Sequence, residues 1–167
     1  VKKIIGKEID KSLKNSKISI VWHLARSNQE KETSVIQKKV KATKSDIIIG
    51  LGGGRSVDVA KLCAFNLKKP FVSIPTSASH DGIASPFVSI RGEKPHSLVA
   101  TAPLGVFVDL DIIKKAPRKL LASGCGDLMA KVTAVHDWEL GRDKVGEYYG
   151  RYSANLASMS AEILIES

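Results

Sequence analysis

The fold class follows from one stretch of the chain, residues 47–61, which reads IIIGLGGGRSVDVAK. Its first three residues form a short, continuous β-branched run, which is typical of a strand buried on both faces of a parallel sheet. Glycines follow at once, and from about Ser56 to Leu67 the apolar pattern is that of a helix. The stretch therefore predicts a strand, a glycine turn and a helix in succession.

The segments before this stretch continue the alternation of helices and strands. Apolar residues between Val1 and Leu13 fall on one helical face, and residues 18–24 have the composition of a strand. Thr33 or Ser34 is a suitable cap for a second helix. Its expected buried side consists of Val35, Ile36 and Val40.

The segments after it contain further strands. Pro70 introduces a strand at residues 71–74, a hairpin is expected from residues 87–90 and 97–101, and residues 105–109 suggest one more short strand. This order predicts an α/β fold, a Rossmann-like parallel-sheet nucleotide-binding domain with right-handed crossovers.

The character of the chain changes after Leu110, because strand runs disappear and the pattern from Arg118 onward is helical. We place a boundary near residue 114, between an α/β dinucleotide-binding domain (1–114) and the start of an all-helical metal and substrate domain (115–167). The chain opens inside a helical pattern and closes at Ser167 in another. We therefore expect the first domain to be incomplete at its N-terminal side and the second at its C-terminal side.

Composition narrows the function classes. No apolar run approaches the roughly 18 residues of a membrane span, and the charged start lacks the apolar core of a secretory signal, so we expect a cytoplasmic protein without membrane insertion. The net charge is +9, but aromatic residues are not interleaved with the lysines as stacking on nucleic-acid bases requires. A solvated basic face and an anionic ligand both stay open. Cys63 and Cys125 form no C-x-x-C pattern and are expected to be buried structural thiols.

The first candidate site is the glycine turn Gly52-Gly53-Gly54 with the helix start that follows it. Glycine lets a backbone approach a phosphate closely, and a helix N-terminus offers free N–H groups and partial positive charge. The spacing is not G-x-G-x-x-G, because Arg55 stands at the third glycine position, and no Gly-Lys-Ser/Thr of a P-loop follows. It indicates a pyrophosphate cradle, with a plain strand-to-helix turn as the alternative.

The second candidate site is the polar loop after the next strand, residues 75–82, which reads PTSASHDG. It follows the carboxyl end of the same sheet, where ligands of open α/β sheets bind. Small hydroxyl side chains can hydrogen-bond a phosphate or a nicotinamide amide, and Asp81 can hold a hydroxyl. An ordinary Ser/Thr turn is the alternative.

The third candidate site is the segment GCGDLMAK, residues 124–131. We expect Gly126 to release the chain and Asp127 to stand at the N-terminus of a long helix. In that position Asp127 is either a helix N-cap, a place that aspartate favours, or a carboxylate ligand of a divalent metal.

Together and in this order, the three motifs resemble the archaeal-type glycerol-1-phosphate dehydrogenases. These belong to a wider family with glycerol dehydrogenases, iron-dependent alcohol dehydrogenases and dehydroquinate synthases. The pattern G-G-G-x-x-x-D-x-A-K is shared across the wider family, whereas PTSASHDGIASP (75–86) and ASGCGDL (122–128) are similar to the glycerol-1-phosphate branch. The resemblance extends from about Ile47 to the end of the chain.

The resemblance implies a zinc-dependent oxidoreductase that uses NADH or NADPH to reduce dihydroxyacetone phosphate to sn-glycerol 1-phosphate, for archaeal membrane lipids. Asp81 and Asp127 match substrate-binding positions, and Asp127 also matches the first zinc ligand and is the candidate catalytic carboxylate. The resemblance implies cofactor contacts at Gly54, Arg55, Ser56, Val57, Asp58, Thr76, Ser77, Ala78, Ser79 and Ser85. The glycine turn itself adds Gly52 and Gly53 to these expected contacts.

The family's two histidine ligands lie well downstream of this aspartate and its first strand lies before residue 1, so the resemblance implies a fragment that is inactive alone. We expect His136 to point to the opposite side of the helix from Asp127, and His80 to lie near the metal without binding it.

We expect the active site in the cleft between the two domains, a small phosphorylated substrate as the partner, and a homo-oligomer. Two alternatives stay open. One is a metal-dependent glycerol dehydrogenase of the same wide family, which acts on unphosphorylated glycerol. The other is a non-catalytic nucleotide-binding module.

Overall fold

The computed structural model describes residues 5–13, 15–90 and 96–167, which divide into two compact units. The first unit contains the described residues up to Ser77 together with Gly82–Lys115, and the second contains Ala78–Asp81 and Ala116–Ser167. The middle of the predicted polar loop thus lies with the C-terminal helices.

A three-stranded parallel sheet forms the centre of the first unit, as the sequence predicts. Strands β1 (Ile48–Gly52), β2 (Phe71–Pro75) and β5 (Gly105–Val106) lie in the order β1-β2-β5. Ile48 is opposite Phe71 in the register of the first pair. Between them in the chain runs helix α3 (Gly54–Leu67), so the predicted strand–turn–helix order is confirmed.

The core of the first unit lies on one face of this sheet. It combines Ile36 of helix α2 (Glu30–Ala42) with apolar side chains of α3 and the strands, including Val57, Cys63 and Phe71. Burial raises the pKa of the Cys63 thiol to about 11, since desolvation disfavours the thiolate. The other face differs from the predicted strand buried on both faces, because Ile49 is 52% exposed.

Two short elements complete the first unit. Strands β3 (Phe87–Ile90) and β4 (His96–Val99) pair antiparallel, which confirms the hairpin, whose turn at residues 91–95 lies outside the described residues. The strand predicted at 105–109 ends after Val106. Its last residue, Asp109, instead caps helix α4 (Leu110–Ile113) by accepting from the N–H groups of Asp111 and Ile112.

Three predictions in the N-terminal third are wrong. Residues 18–28 form no strand ladder, and several of their apolar side chains, namely Ile18, Val21 and Leu24, are exposed. Strand composition is insufficient without a neighbouring strand to complete the hydrogen bonds.

The second helix also differs from its prediction. Helix α2 begins at Glu30, before the expected caps Thr33 and Ser34, and Val35 is exposed. Of the first helix, α1 (Lys7–Leu13) is described, and Val1 and Ile4 lie outside the described residues.

The second unit is a hairpin of two helices, α5 (Arg118–Val145) and α6 (Arg151–Ile165). The indole N–H of Trp138 donates to the carbonyl of Tyr148 at 2.6 Å and fixes the connection. Helix α5 runs unbroken through Gly126, so the predicted helix start at Asp127 is wrong, and so is its reading as an N-cap. Glycine inside a helix costs only about 1 kcal/mol relative to alanine, which packing offsets. No helix in the described ranges is long and apolar enough to cross a membrane.

Candidate active site

The glycine turn joins β1 to α3 in the first unit. Gly52 has a φ of 141°, a conformation that only glycine adopts without strain. Gly53 is the N-cap of α3 and has no side chain to occupy the helix end, and the first turn of the helix contains no acidic residue. The N-terminal N–H groups of α3 are therefore unobstructed by a capping side chain, as an anion site requires.

Ser77 faces this turn. A Cβ atom placed on Gly53 would lie 3.5 Å from the Ser77 Oγ, which is buried and has no hydrogen-bond partner among the described residues. The neighbouring Thr76 N–H donates to the Gly52 carbonyl at 2.9 Å. The carboxyl ends of β1 and β2 thus place a glycine backbone and an unsatisfied hydroxyl side by side.

The other predicted cofactor residues lie in different settings. The Arg55 guanidinium donates to the carbonyl of Arg26, and the side chains of Val57 and Asp58 are buried. These three residues can offer backbone groups to a ligand more readily than side chains. Gly54 opens α3, and Ser56 follows in its first turn. Ala78 and Ser79 lie in the polar loop, where Ser79 is buried, and Ser85 follows this loop.

Lys61, the last residue of the glycine motif, has a role that sequence reasoning missed. Its side chain is fully buried, and its Nζ donates to the carbonyls of Gly82, Ser85 and Phe87 at 2.6–2.7 Å. One ammonium group thereby fastens the chain at residues 82–87 to α3. A lysine between the buried helix positions Val57 and Ala64 was the available signal.

In the second unit, Asp81 and Asp127 lie together. The Asp81 N–H donates to Oδ2 of Asp127 at 2.9 Å. Asp127 is half-buried and stands in the tenth position of α5, and Asp81 begins a short 3₁₀ turn, Asp81–Ile83. The structure therefore unites the two aspartates that the motifs single out.

Lys131 completes an aspartate–lysine cluster with these two residues. Its Nζ donates to Oδ2 of Asp81 at 2.6 Å, with the two side chains 30% and 52% exposed. This hydrogen bond, reinforced by the negative charges of Asp81 and Asp127, raises the pKa of Lys131 above its usual value. The signal in the sequence was the spacing of four between Asp127 and Lys131, which places both on one helix face.

The backbone of residues 78–81 passes so close to Gly124 of α5 that no side chain fits at this position. A Cβ at Gly124 would collide with the carbonyl of Ala78, whereas a Cβ at Gly126 would meet nothing within 4 Å. Gly124, Asp127 and Lys131 lie on the same face of α5 and together hold residues 78–81 against it. Sequence reasoning chose the wrong glycine of the pair.

Among the side chains that the structure describes, no histidine extends the cluster into a metal centre. His136 is exposed and lies 3.4 Å from a Glu139 carboxylate oxygen. No group of three or more His, Cys, Asp or Glu side chains that could hold a metal ion occurs in the described part of the chain. Asp127 fits as one metal ligand, because one of its carboxylate oxygens accepts a backbone N–H, as ligating carboxylates commonly do.

Comparison with known proteins assigns the chain to a family. A model of the iron-containing alcohol dehydrogenases matches residues 1–117. The chain belongs to this family. The resemblance that its motifs suggested is thereby confirmed at the family level.

Two curated relatives are similar over most of the chain. A glycerol-1-phosphate dehydrogenase [NAD(P)+] of Nitrosopumilus maritimus is 62% identical over all 167 residues, which span 47% of that protein. One of Cenarchaeum symbiosum is 62% identical over 93% of this chain and 44% of its own length. The chain thus spans about half the length of these curated relatives.

The fold is shared with a solved structure. A probable glycerol dehydrogenase from Sinorhizobium meliloti superposes with a TM-score of 0.78 at 23% identity, over 93% of this chain and 47% of that one. At that identity the similarity establishes the fold, a Rossmann-like α/β domain followed by helices, as predicted.

Proposed function

We propose that this chain is the dinucleotide-binding part, with one metal ligand, of an enzyme that reduces dihydroxyacetone phosphate to sn-glycerol 1-phosphate using NADH or NADPH. The observation that carries the proposal is the 62% identity, across the whole chain, to a protein described as a glycerol-1-phosphate dehydrogenase. The geometry of each unit supports a part of this chemistry.

The first unit suits the dinucleotide. We assign the pyrophosphate to the glycine turn Gly52–Gly54 and the N-terminus of α3, where N–H groups and the helix dipole favour an anion. The buried, unsatisfied Ser77 Oγ beside Gly53 supports this assignment, because a buried hydroxyl without a partner is costly unless a ligand completes it. The proposed cofactor contacts are the ten residues that the resemblance implies, together with Gly52 and Gly53 of the glycine turn.

The second unit suits substrate and metal. We assign Asp127 as one ligand of a divalent ion, proposed to be zinc, and Asp81 as acceptor of a hydrogen bond from a substrate hydroxyl. When bound, such an ion polarises the substrate carbonyl and stabilises the developing alkoxide charge. A catalytic zinc takes three protein ligands, so the site requires two ligands besides Asp127.

The test is a comparison of substrates with the full-length protein. NADH and NADPH oxidation is followed with dihydroxyacetone phosphate and, as the matched control, with unphosphorylated dihydroxyacetone. We expect a higher kcat/KM for the phosphorylated ketone, and a product that an sn-glycerol-3-phosphate dehydrogenase does not oxidise. Preference for dihydroxyacetone would instead indicate a glycerol dehydrogenase, and dinucleotide binding without turnover a non-catalytic module.

A further inference from the structure

Two carboxylates and one ammonium group meet in the second unit, and the proposed function gives the two carboxylates different tasks. Asp127 is to bind the metal, whereas Asp81 is to hold substrate. Their backbone contact, from the Asp81 N–H to Oδ2 of Asp127 at 2.9 Å, brings them close. A divalent cation on Asp127 attracts any nearby carboxylate, so proximity alone does not keep Asp81 off the metal.

We propose that Lys131 is the positioning residue that separates the two roles, by holding the Asp81 carboxylate away from the metal ion bound to Asp127. The Lys131 Nζ donates to Oδ2 of Asp81 at 2.6 Å. Lys131 is one helical turn beyond Asp127 on the same face of α5, and this bond gives the Asp81 carboxylate a cationic partner other than the metal ion. The inference rests on the proposed metal and substrate roles of the two aspartates.

A purely structural role for Lys131 does not account for the arrangement. The ion pair is partly exposed, with side chains at 30% and 52%, and such pairs contribute little to stability. The backbone of residues 78–81 is already held on α5 by the Asp81 N–H and by the close approach of Ala78 to Gly124. What Lys131 adds is the direction of the Asp81 side chain.

The charges of the cluster agree with this assignment. Asp81 and Asp127 carry two negative charges, and Lys131 cancels one of them on the Asp81 side. Asp127 keeps its charge for the metal, while Asp81 keeps acceptor positions for a substrate hydroxyl, because a carboxylate accepts more hydrogen bonds than the one that Lys131 donates.

The experiment uses the full-length protein loaded with Co²⁺, whose d–d absorption reports the number of ligands, in wild type and four variants. In Lys131→Met we expect Asp81 to join the metal. The cobalt spectrum should change, release of the metal to a chelator should slow about tenfold or more, and kcat/KM for dihydroxyacetone phosphate should fall roughly 10–100-fold. Lys131→Arg, which keeps the cation, should behave like wild type in all three measurements.

Two further variants complete the design. The double variant Lys131→Met/Asp81→Asn should return the cobalt spectrum to that of wild type without restoring turnover. Lys119→Met, which removes an exposed lysine in the first turn of the same helix, is the matched control and should leave all three measurements unchanged.

The outcomes separate this inference from the proposed function. Lys131→Met with an unchanged cobalt spectrum and chelator rate overturns the inference, even where the enzyme reduces dihydroxyacetone phosphate. A wild type that binds cobalt but reduces no dihydroxyacetone phosphate overturns the proposed function, while the spectral change in Lys131→Met still supports the inference. A wild type that binds neither zinc nor cobalt overturns the metal role of Asp127, and with it the inference.

Discussion

The backbone N–H of Asp81 donates to Oδ2 of Asp127 across 46 positions of sequence. The contact uses the main chain of one residue and the side chain of the other. An amide oxygen at position 127 can still accept this hydrogen bond, and a change of the Asp81 side chain leaves its N–H in place. Substitution by asparagine can therefore test each carboxylate while the local backbone is kept.

We expect Asp127→Asn and Asp81→Asn to have different effects on zinc content and on kcat/KM. Asp127→Asn should lose zinc on dialysis, because an uncharged amide is a weaker ligand for a divalent ion. Asp81→Asn should keep zinc and lower kcat/KM by roughly 10–100-fold, the cost of a hydrogen bond to a charged acceptor. Metal analysis beside steady-state kinetics in the full-length protein measures both. Zinc loss from Asp81→Asn would show that the two roles are reversed.

At the glycine turn, substitutions of Gly53 can test dinucleotide binding without a large change in the stability of the fold. Gly53 has an extended backbone, and an added Cβ would make only ordinary contact with Ser77 at 3.5 Å. We expect Gly53→Ala to leave the melting temperature nearly unchanged and to weaken NADH binding, because the methyl group keeps phosphate from the backbone. The larger Gly53→Val should weaken it further. Dinucleotide affinity, measured by calorimetry, that is equal to wild type in both variants would refute the pyrophosphate assignment.

Gly52→Ala is the contrasting variant in this turn. At a φ of 141° an alanine is strained, and we expect a loss of about 1–3 kcal/mol in the free energy of unfolding. Urea denaturation of the full-length protein tests this, and a stability as high as that of Gly53→Ala would argue against the strained conformation.

The two glycines of α5 should respond in opposite ways. Gly124→Ala places a methyl group on the carbonyl of Ala78, so residues 78–81 must move away from the helix, and we expect lower stability and lower kcat/KM. Gly126→Ala meets nothing within 4 Å and should stabilise the protein by about 0.5–1 kcal/mol, the usual gain in a helix interior. The melting temperature and kcat/KM of the two variants, Gly124→Ala and Gly126→Ala, test this difference. Equal effects of the two substitutions would contradict the close approach at Gly124.

Lys61→Met tests the buried ammonium. It removes three hydrogen bonds and leaves the carbonyls of Gly82, Ser85 and Phe87 short of a donor, so we expect a loss of about 2–3 kcal/mol in the free energy of unfolding. Lys39→Met, at an exposed position of α2, is the control and should change stability by less than about 0.5 kcal/mol. Unfolding in urea compares them, and similar midpoints would mean that Lys61 does not fasten residues 82–87.

The succession of strand, glycine turn, helix and strand along residues 47–74 was predictable from the sequence, because it depends on local signals. The β-branched run before Gly50, the helical pattern up to Leu67 and the strand after Pro70 each reflect preferences of neighbouring residues. Residues 18–24 show the limit of such signals. Their composition is that of a strand, but a strand exists only with a partner, and partners are not visible in a local pattern.

By itself, the sequence determined the α/β order, the glycine turn and the two aspartates that the motifs single out. The tertiary structure decided that Gly124 rather than Gly126 is required, that Lys61 binds three carbonyls and that Lys131 is paired with Asp81. These are contacts between segments 21–50 positions apart. Periodicity describes how a residue relates to its own helix or strand, whereas such contacts depend on how separate segments pack, and only the folded chain brings them within bonding distance.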